Sequence, residues 1–396
     1  MDRNSGGSSL LLIAAAACLL LTSLDTVTKY GGLAGTFIYL TGGGAAVFLA
    51  YRFALRAFLP RLNDRQSIVV FLLIIVTVSV AAAYGYQLAN SGRFGPGSDI
   101  DDAMIIGANE ILAGRFPYYQ RTYLGGMLSP FPGTMFLAIP WVIAGIIEFQ
   151  NIFWLTALFL AAGLALRSYV PALGIVLTLL VFSPTVYQVI LTGSDHLANT
   201  IYVLIAMWMV ITSVKNGTTR RAAAWAVFLG IAMASRSNFL FLYPLIFSAI
   251  AQISGVKRAL ILCGISAVVF AALVVPFWLY DPAAFTPFII QAEKVKMTES
   301  VLPFAGVIIP LVVAAISLAL AFRKFSADHF ELFAFSAVVQ AVALLIPSLL
   351  FAVSIGEPSF FLGTAGYGMF TLVFGVVAMW IAIWRGMHVG LTPQEP

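Results

Sequence analysis

Three aspartates, Asp99, Asp101 and Asp102, stand at the start of one predicted helix, after the turn-forming segment 91–98. The apolar residues that follow repeat at helical spacing as far as Gly114, which predicts a short amphipathic helix ending at this glycine. Capping and the helix dipole stabilise acids at a helix start by about 0.3 to 1 kcal/mol each, and this explanation suits Asp99 best. Neighbouring like charges also raise one another's pKa, so Asp102, with Asp101 as second choice and Asp99 as third, is a candidate general base.

A segment rich in tyrosine and arginine follows the predicted helix. It contains Tyr118, Tyr119, Arg121 and Tyr123. Tyrosines of this kind form the aromatic belt of a membrane interface. Beside carboxylates, the same rings are also suited to contact a sugar, and a guanidinium is suited to bind a phosphate. Both interpretations stay open for the tyrosines, and Arg121 is a candidate phosphate ligand.

Two further groups of polar residues stand at the ends of apolar runs. Asp195 and His196 begin one run, and Arg236 and Asn238 lie between two others. Charged groups at such positions are costly in a membrane and are commonly functional. Arg236 is either an anchor that reaches the lipid headgroups or a ligand of a lipid-linked phosphate, supported by His196. Asp195 and Asn238 are candidate contacts of a sugar or an acceptor.

A second polar segment, 280–302, contains Asp281 and the pair Lys294 and Lys296. It is either a solvated loop or an electropositive approach for anionic lipid carriers, in which the two lysines bind phosphate. None of the three histidines of the chain stands at metal-ligand spacing. We therefore expect no metal site and no cofactor.

The composition decides the class of protein. Hydrophobic residues make up 61% of the 396 residues and charged residues only 9%, whereas soluble proteins carry about 25% charged residues. So little charge cannot cover a water-facing surface, which predicts an all-α polytopic membrane protein among membrane lipids. The net charge of +5 comes from Lys and Arg in short loops, where they set topology. No nucleic-acid-binding surface is predicted.

Basic residues in the loops near 52–65 and 215–221 place both loops in the cytoplasm, so an even number of crossings must separate them. Five apolar runs lie between these loops. We expect the proline-rich run 130–147 to be an interfacial or re-entrant helix, which leaves about twelve membrane spans. Both termini are then cytoplasmic, and segments 91–129 and 280–302 lie outside. The thirteen runs lie near 8–24, 34–58, 68–90, 130–147, 150–166, 170–190, 197–214, 222–235, 238–254, 259–279, 303–322, 330–355 and 362–384.

Several short elements resemble the GT-C superfamily of membrane glycosyltransferases, most closely glycosyltransferase family 87. They are Asp99–Asp102, Gly114–Tyr118, Ser129–Pro132, Thr192–His196, Leu229–Asn238 and Leu279–Pro282. The resemblance implies a GT-C-like fold with a catalytic module at 68–300, between an N-terminal part at 1–67 and C-terminal helices at 301–396. It also implies inversion at the anomeric carbon and a sugar donor that is not a nucleotide sugar.

The hypothesis that combines these observations is a multi-pass glycosyltransferase of the bacterial inner membrane, with its active site on the extracytoplasmic side. A sugar moves from a polyprenyl phosphate, the donor, to a hydroxyl of a lipid or glycan acceptor, and an aspartate acts as base without a metal. A transporter or lipid flippase is the alternative, with Arg236 and the acids lining a translocation path. A non-catalytic membrane subunit is a further possibility.

Overall fold

A computed structural model describes residues 16–50, 61–91, 93, 98–326, 329–356 and 368–389. Within these ranges the chain forms no β-strand; residues 16–21 are helical, and fifteen further α-helices follow. The helices are α1 (Leu24–Leu49), α2 (Asp64–Ala89), α3 (Ile100–Leu112), α4 (Pro132–Ala144), α5 (Gln150–Leu166), α6 (Tyr169–Phe182), α7 (Pro184–Leu191), α8 (His196–Lys215), α9 (Thr219–Met233), α10 (Tyr243–Ser254), α11 (Val256–Tyr280), α12 (Thr286–Glu299), α13 (Ala305–Ala321), α14 (Phe330–Ile355) and α15 (Met369–Val389).

The long apolar helices confirm the prediction of an all-α polytopic membrane protein. In the described part of the chain, eight helical segments are long and apolar enough to cross a membrane, and α6 with α7 makes a ninth if the bent pair is one span. The apolar helices α4 and α13 are shorter. The total of twelve spans, the GT-C fold and the orientation in the membrane stay predictions.

Helix α8 lies at the centre of the bundle. Of its apolar stretch, 89% is buried inside the protein, and it packs against α5, α9, α10 and α15. The surrounding core is continuous from Leu19 to Ile381, so residues from all three predicted segments share it. The first residues of α8 therefore lie on a rigid, fully packed element.

The region around residues 24–34 differs from the sequence prediction, which placed a loop between two spans there. The structure instead has one helix, α1, that is kinked at Gly32, where φ is +62°. Glycine adopts a positive φ without a steric penalty, so the chain departs from helical geometry at this one residue and bends. Residues 8–15 of the first predicted run and 51–58 of the second lie outside the described residues.

The run over 170–190, which the sequence predicts as one span, is divided into two helices. Helices α6 and α7 meet at an angle of 88°. The break lies at Ser183, whose backbone is extended with φ −123° and ψ 96°. Proline disfavours the helical conformation of the residue before it, and Pro184 follows here. The hydroxyl oxygen of Ser183 lies 2.9 Å from that of Ser23 and fixes the bend against the residue before α1.

Two shorter helices lie near the predicted outer segments. Helix α4 has thirteen residues and ends at Gly145, which has φ +68°. At about 1.5 Å per residue it is about 20 Å long, whereas the apolar core of a bilayer is about 30 Å thick. This length agrees with the prediction that 130–147 does not cross. The alternative of a loop over 280–302 is wrong, because α12 occupies most of that segment.

Candidate active site

The acidic helix α3 begins and ends near the predicted residues, and Gly114 follows it with φ +67°. The predicted side-chain capping by Asp99 is not found, although the residue stands at the predicted N-cap position. Asp99 occupies the N-cap position, but its carboxylate accepts no hydrogen bond from the helix. It accepts one instead from the Thr122 hydroxyl, at 2.7 Å between Oδ2 and Oγ1. The Ser98 hydroxyl accepts a long hydrogen bond of 3.4 Å from the backbone N–H of Ile100.

Asp102 holds the same loop as Asp99. Its Oδ2 accepts a hydrogen bond of 2.7 Å from the backbone N–H of Tyr123. The loop is a tight turn in which the Thr122 N–H donates to the Gly126 carbonyl at 3.0 Å. Asp99 and Asp102 therefore each use one carboxylate oxygen to attach residues 122–126 to the start of α3.

Asp101 differs from its two neighbours because it is buried, with 4% of its surface exposed. Its Oδ2 accepts hydrogen bonds from the Tyr86 hydroxyl at 2.7 Å and from the Asn90 amide at 3.4 Å. Its Oδ1 is buried and has no hydrogen-bond partner among the described residues. Burial raises the pKa of Asp101 above its ordinary value, although the hydrogen bond from Tyr86 opposes this. The surroundings therefore make the carboxylate of Asp101 more basic than that of a solvated aspartate.

A cavity of about 330 Å³ lies beside Asp101, between α1, α2 and α7. Gly85, Ala89 and Thr192 line it, and their chain neighbours Tyr86, Asn90 and Gly193 contact Asp101 or closely approach it. At Gly193, which has φ +67°, an added Cβ would lie 3.1 Å from the Cβ of Asp101. Asp101 does not line the cavity itself, but it contacts three residues that are each adjacent in the chain to a lining residue.

The cavity wall contains residues that the sequence did not single out. Lys29 is its only charged residue among those described, and it lies with Tyr30 near the kink of α1. Tyr187 and Gln188 of α7 contribute further polar groups. The signal that points to Lys29 in the sequence is its position as a single basic residue in an apolar stretch, shortly before Gly31 and Gly32.

Arg236 and Asp195 form a buried ion pair. Nη2 of Arg236 lies 2.8 Å and 2.7 Å from the two carboxylate oxygens of Asp195. Asp195 has no exposed surface and Arg236 has 8%. Burial raises the pKa of Asp195, but Arg236, His196 and the hydrogen bond from Asn199 more than offset this, so the pKa lies below its ordinary value. The interpretation of Arg236 as an anchor that reaches lipid headgroups is wrong.

The polar residues around this ion pair are also engaged inside the protein. The Asn199 amide donates to Asp195 at 2.8 Å. His196 is buried, with Nδ1 2.9 Å from the Ser194 hydroxyl and Nε2 4.0 Å from Asp195. Asn238 donates to Gln340 of α14 at 2.5 Å. In the structure, the hydrogen bonds of Asp195, His196 and Asn238 described here are to other residues of the protein. Their contact with a sugar donor or an acceptor stays a prediction.

A hydrogen bond from Tyr119 joins the two predicted outer segments, 91–129 and 280–302. Tyr119 donates to Asp281 at 2.9 Å and is exposed, whereas Tyr118 is buried and donates to the carbonyl of Pro130 at 3.1 Å. Tyr118 therefore does not belong to an interfacial belt. Tyr123 is 58% exposed.

The remaining predicted phosphate ligands are Arg121, Lys294 and Lys296. Arg121 and Lys296 are exposed, and neither lines the cavity. Lys294 belongs to α12, and its side chain lies outside the described part of the chain. Across the described residues, no three His, Cys, Asp or Glu side chains converge as a metal site would require. Independence from metals stays a prediction.

No protein-family model, curated protein or solved structure matches this chain. The likeness to the GT-C superfamily is therefore carried by the short motifs given above. The geometry of the acids and of the cavity is the independent basis for a proposal about function.

Proposed function

We propose that this protein is an inverting glycosyltransferase that moves a sugar from a polyprenyl phosphate to a hydroxyl of a lipid or glycan. Its place would be the extracytoplasmic face of the bacterial inner membrane. The observation that supports this most is a buried carboxyl of raised pKa, Asp101, in contact with the chain neighbours of residues that line a cavity whose charged residue is the cation Lys29. A base beside a cationic cavity is what displacement of a phosphate by a hydroxyl requires.

In the proposed reaction, Asp101 takes the proton from the acceptor hydroxyl. The hydroxyl oxygen then forms a bond to the anomeric carbon, and the bond from that carbon to the phosphate oxygen breaks. The lipid phosphate leaves with the electron pair of that bond, and the configuration at the anomeric carbon inverts. The structure favours Asp101 over Asp102 because Asp102 holds the backbone of Tyr123.

The buried ion pair has a supporting part in this proposal. Arg236 gives Nη2 to Asp195 and approaches the Ser129 hydroxyl at 3.5 Å. Near it, the Gly133 N–H donates to the Ala234 carbonyl at 2.8 Å. The ion pair therefore fixes the start of α8 relative to the segment before α4. Because Gly193 lies two residues before Asp195, the pair also keeps the turn at Gly193 against Asp101.

The test uses the purified protein in lipid vesicles, with a panel of radiolabelled polyprenyl monophosphate sugars and acceptors. Asp101→Asn keeps the shape of the side chain but removes the base, and we expect transfer to fall by about 100-fold or more. Asp102→Asn should lower transfer less, through a looser loop. Glu299→Gln, at the exposed end of α12, is the matched control and should retain full transfer.

Full transfer by a folded Asp101→Asn variant would show that the base assignment is wrong. A wild-type protein that moves labelled lipid between leaflets without transferring the sugar would instead support the flippase alternative. Binding of the carrier without either activity would support a non-catalytic subunit.

A further inference from the structure

The cavity between α1, α2 and α7 is formed where helices break. Gly32 kinks α1 just after Lys29, and Ser183 separates α6 from α7 at an angle of 88°. Ser98, directly before the acidic helix, closes another side. Interrupted helices inside a membrane are tolerated where they line a cavity, because their free backbone groups need polar surroundings. This is the arrangement of a binding site rather than of a packing defect.

The wall combines one positive charge with hydroxyl and amide groups that can donate hydrogen bonds, which favours an anion. Lys29 carries the positive charge, and the hydroxyls of Tyr30 and Tyr187 accompany it. The Gln188 carbonyl oxygen accepts a hydrogen bond from Thr26. Its amide nitrogen therefore remains a donor, without a partner in the described part of the chain.

Lys29 is available to a ligand. Its ammonium lies over the ring of Tyr30, 5.4 Å from the centroid, and it forms no ion pair with any described residue. Asp25, one turn earlier on α1, is half-buried and offsets part of the charge of Lys29. Arg236 contrasts with this, because a buried aspartate pairs with its guanidinium.

We propose that this cavity binds the phosphate monoester of a membrane lipid and that Lys29, rather than Arg236, is the phosphate ligand. That the lipid is the sugar carrier rests on the proposed function. The cavity, at about 330 Å³, lies at the small end of the range of about 300 to 1,000 Å³ for ligand sites. It suits a headgroup and leaves the hydrocarbon chain outside.

The lipid chain has a surface to follow outside the cavity. Leu33 of α1 is 79% exposed, and Leu88 of α2 is 46% exposed and also lines the cavity. A prenyl chain can therefore stay among apolar side chains and lipid while its phosphate lies at Lys29.

The experiment measures binding to the purified full-length protein in detergent, without turnover. The probes are a C20 prenyl monophosphate, the corresponding prenyl alcohol and inorganic phosphate. We expect the wild type to bind the prenyl monophosphate much more tightly than either of the others. Lys29→Gln should weaken binding about tenfold or more, since a hydrogen bond to a charged group is lost.

Two variants separate charge from structure. Lys29→Arg keeps the charge, and its affinity for the prenyl monophosphate should lie within about threefold of that of the wild type. This change is smaller than the loss of one hydrogen bond to a charged group would cause. Lys257→Gln removes an exposed lysine at the start of α11 and should bind as the wild type does. Thermal unfolding of each variant verifies that the fold is kept.

Unchanged binding by a folded Lys29→Gln variant would overturn the proposal, and so would equal affinity for the prenyl alcohol. Inorganic phosphate bound as tightly as the lipid would overturn the lipid part of it. Failure of the proposed function looks different. In that case Lys29→Gln still loses binding, but the wild type transfers no sugar from any carrier in the panel.

Discussion

Replacement of Arg236 by methionine tests whether the buried ion pair organises the site. Methionine keeps much of the apolar length but leaves the Asp195 carboxylate, which has no exposed surface, without its cation. Asn199 remains as a hydrogen-bond donor at 2.8 Å. Removal of one partner from a buried pair typically costs about 3 to 5 kcal/mol. We expect Arg236→Met to be destabilised by that amount near neutral pH.

The pH dependence of this loss has a definite sign. In the wild type the pKa of Asp195 is lowered, so the contribution of the pair is present above the ordinary value and is lost only as pH falls through the lower one. In Arg236→Met, burial still raises the pKa of Asp195, but the guanidinium that lowers it is gone. The pKa of Asp195 should therefore rise. The destabilisation should therefore be largest at high pH and shrink as the pH falls toward that raised pKa.

The assay is thermal unfolding in detergent from pH 5 to pH 8. Arg323→Met, at an exposed position after α13, is the control and should unfold as the wild type does. Arg236→Met combined with Asp195→Leu removes both charges and should recover a large part of the lost stability. Unfolding of Arg236→Met at the wild-type temperature would refute the reasoning, as would a loss that is equal at every pH and unrelieved in the double variant.

Further predictions concern the packing of α4, the acid-held loop and the hydrogen bond from Tyr86. Gly133→Ala should destabilise the protein by about 1 to 3 kcal/mol, because its Cβ would lie 2.4 Å from a backbone oxygen of α9; Gly264→Ala, with open space at its Cβ, is the unfolding control. Asp102→Ala should speed limited proteolysis within 121–127, and an unchanged rate would contradict its role in the loop. Tyr86→Phe removes a hydrogen bond that lowers the pKa of Asp101, so the acidic limb of the pH–rate profile should move to higher pH, whereas an unmoved limb would argue against Asp101 as base.

Much of the helical structure follows from local sequence. The lengths of the apolar runs predict most helices, and the prolines and glycines around α4 predict that it is short. The break at Ser183 was missed, although Pro184 marks it. A proline at the first position of a new helix and a proline tolerated inside a span look alike in sequence, and packing against Ser23 decides between them.

The site was harder to predict because it depends on which way side chains point. Asp101 and Asp102 are neighbours in α3, and successive residues of a helix point about 100° apart. One therefore faces the interior and the other the loop, which the sequence cannot distinguish. The partner of Arg236 is 41 residues away in the chain, and only the packing of α8 against α9 brings them together.

The anomeric configuration of the product tests the central claim most directly. The wild-type protein in vesicles would receive a polyprenyl monophosphate sugar of one defined configuration, and NMR of the isolated product would report the new linkage. A single displacement with Asp101 as base predicts a product of purely inverted configuration. Retained configuration, or no transfer by the folded protein from any carrier, would contradict the account.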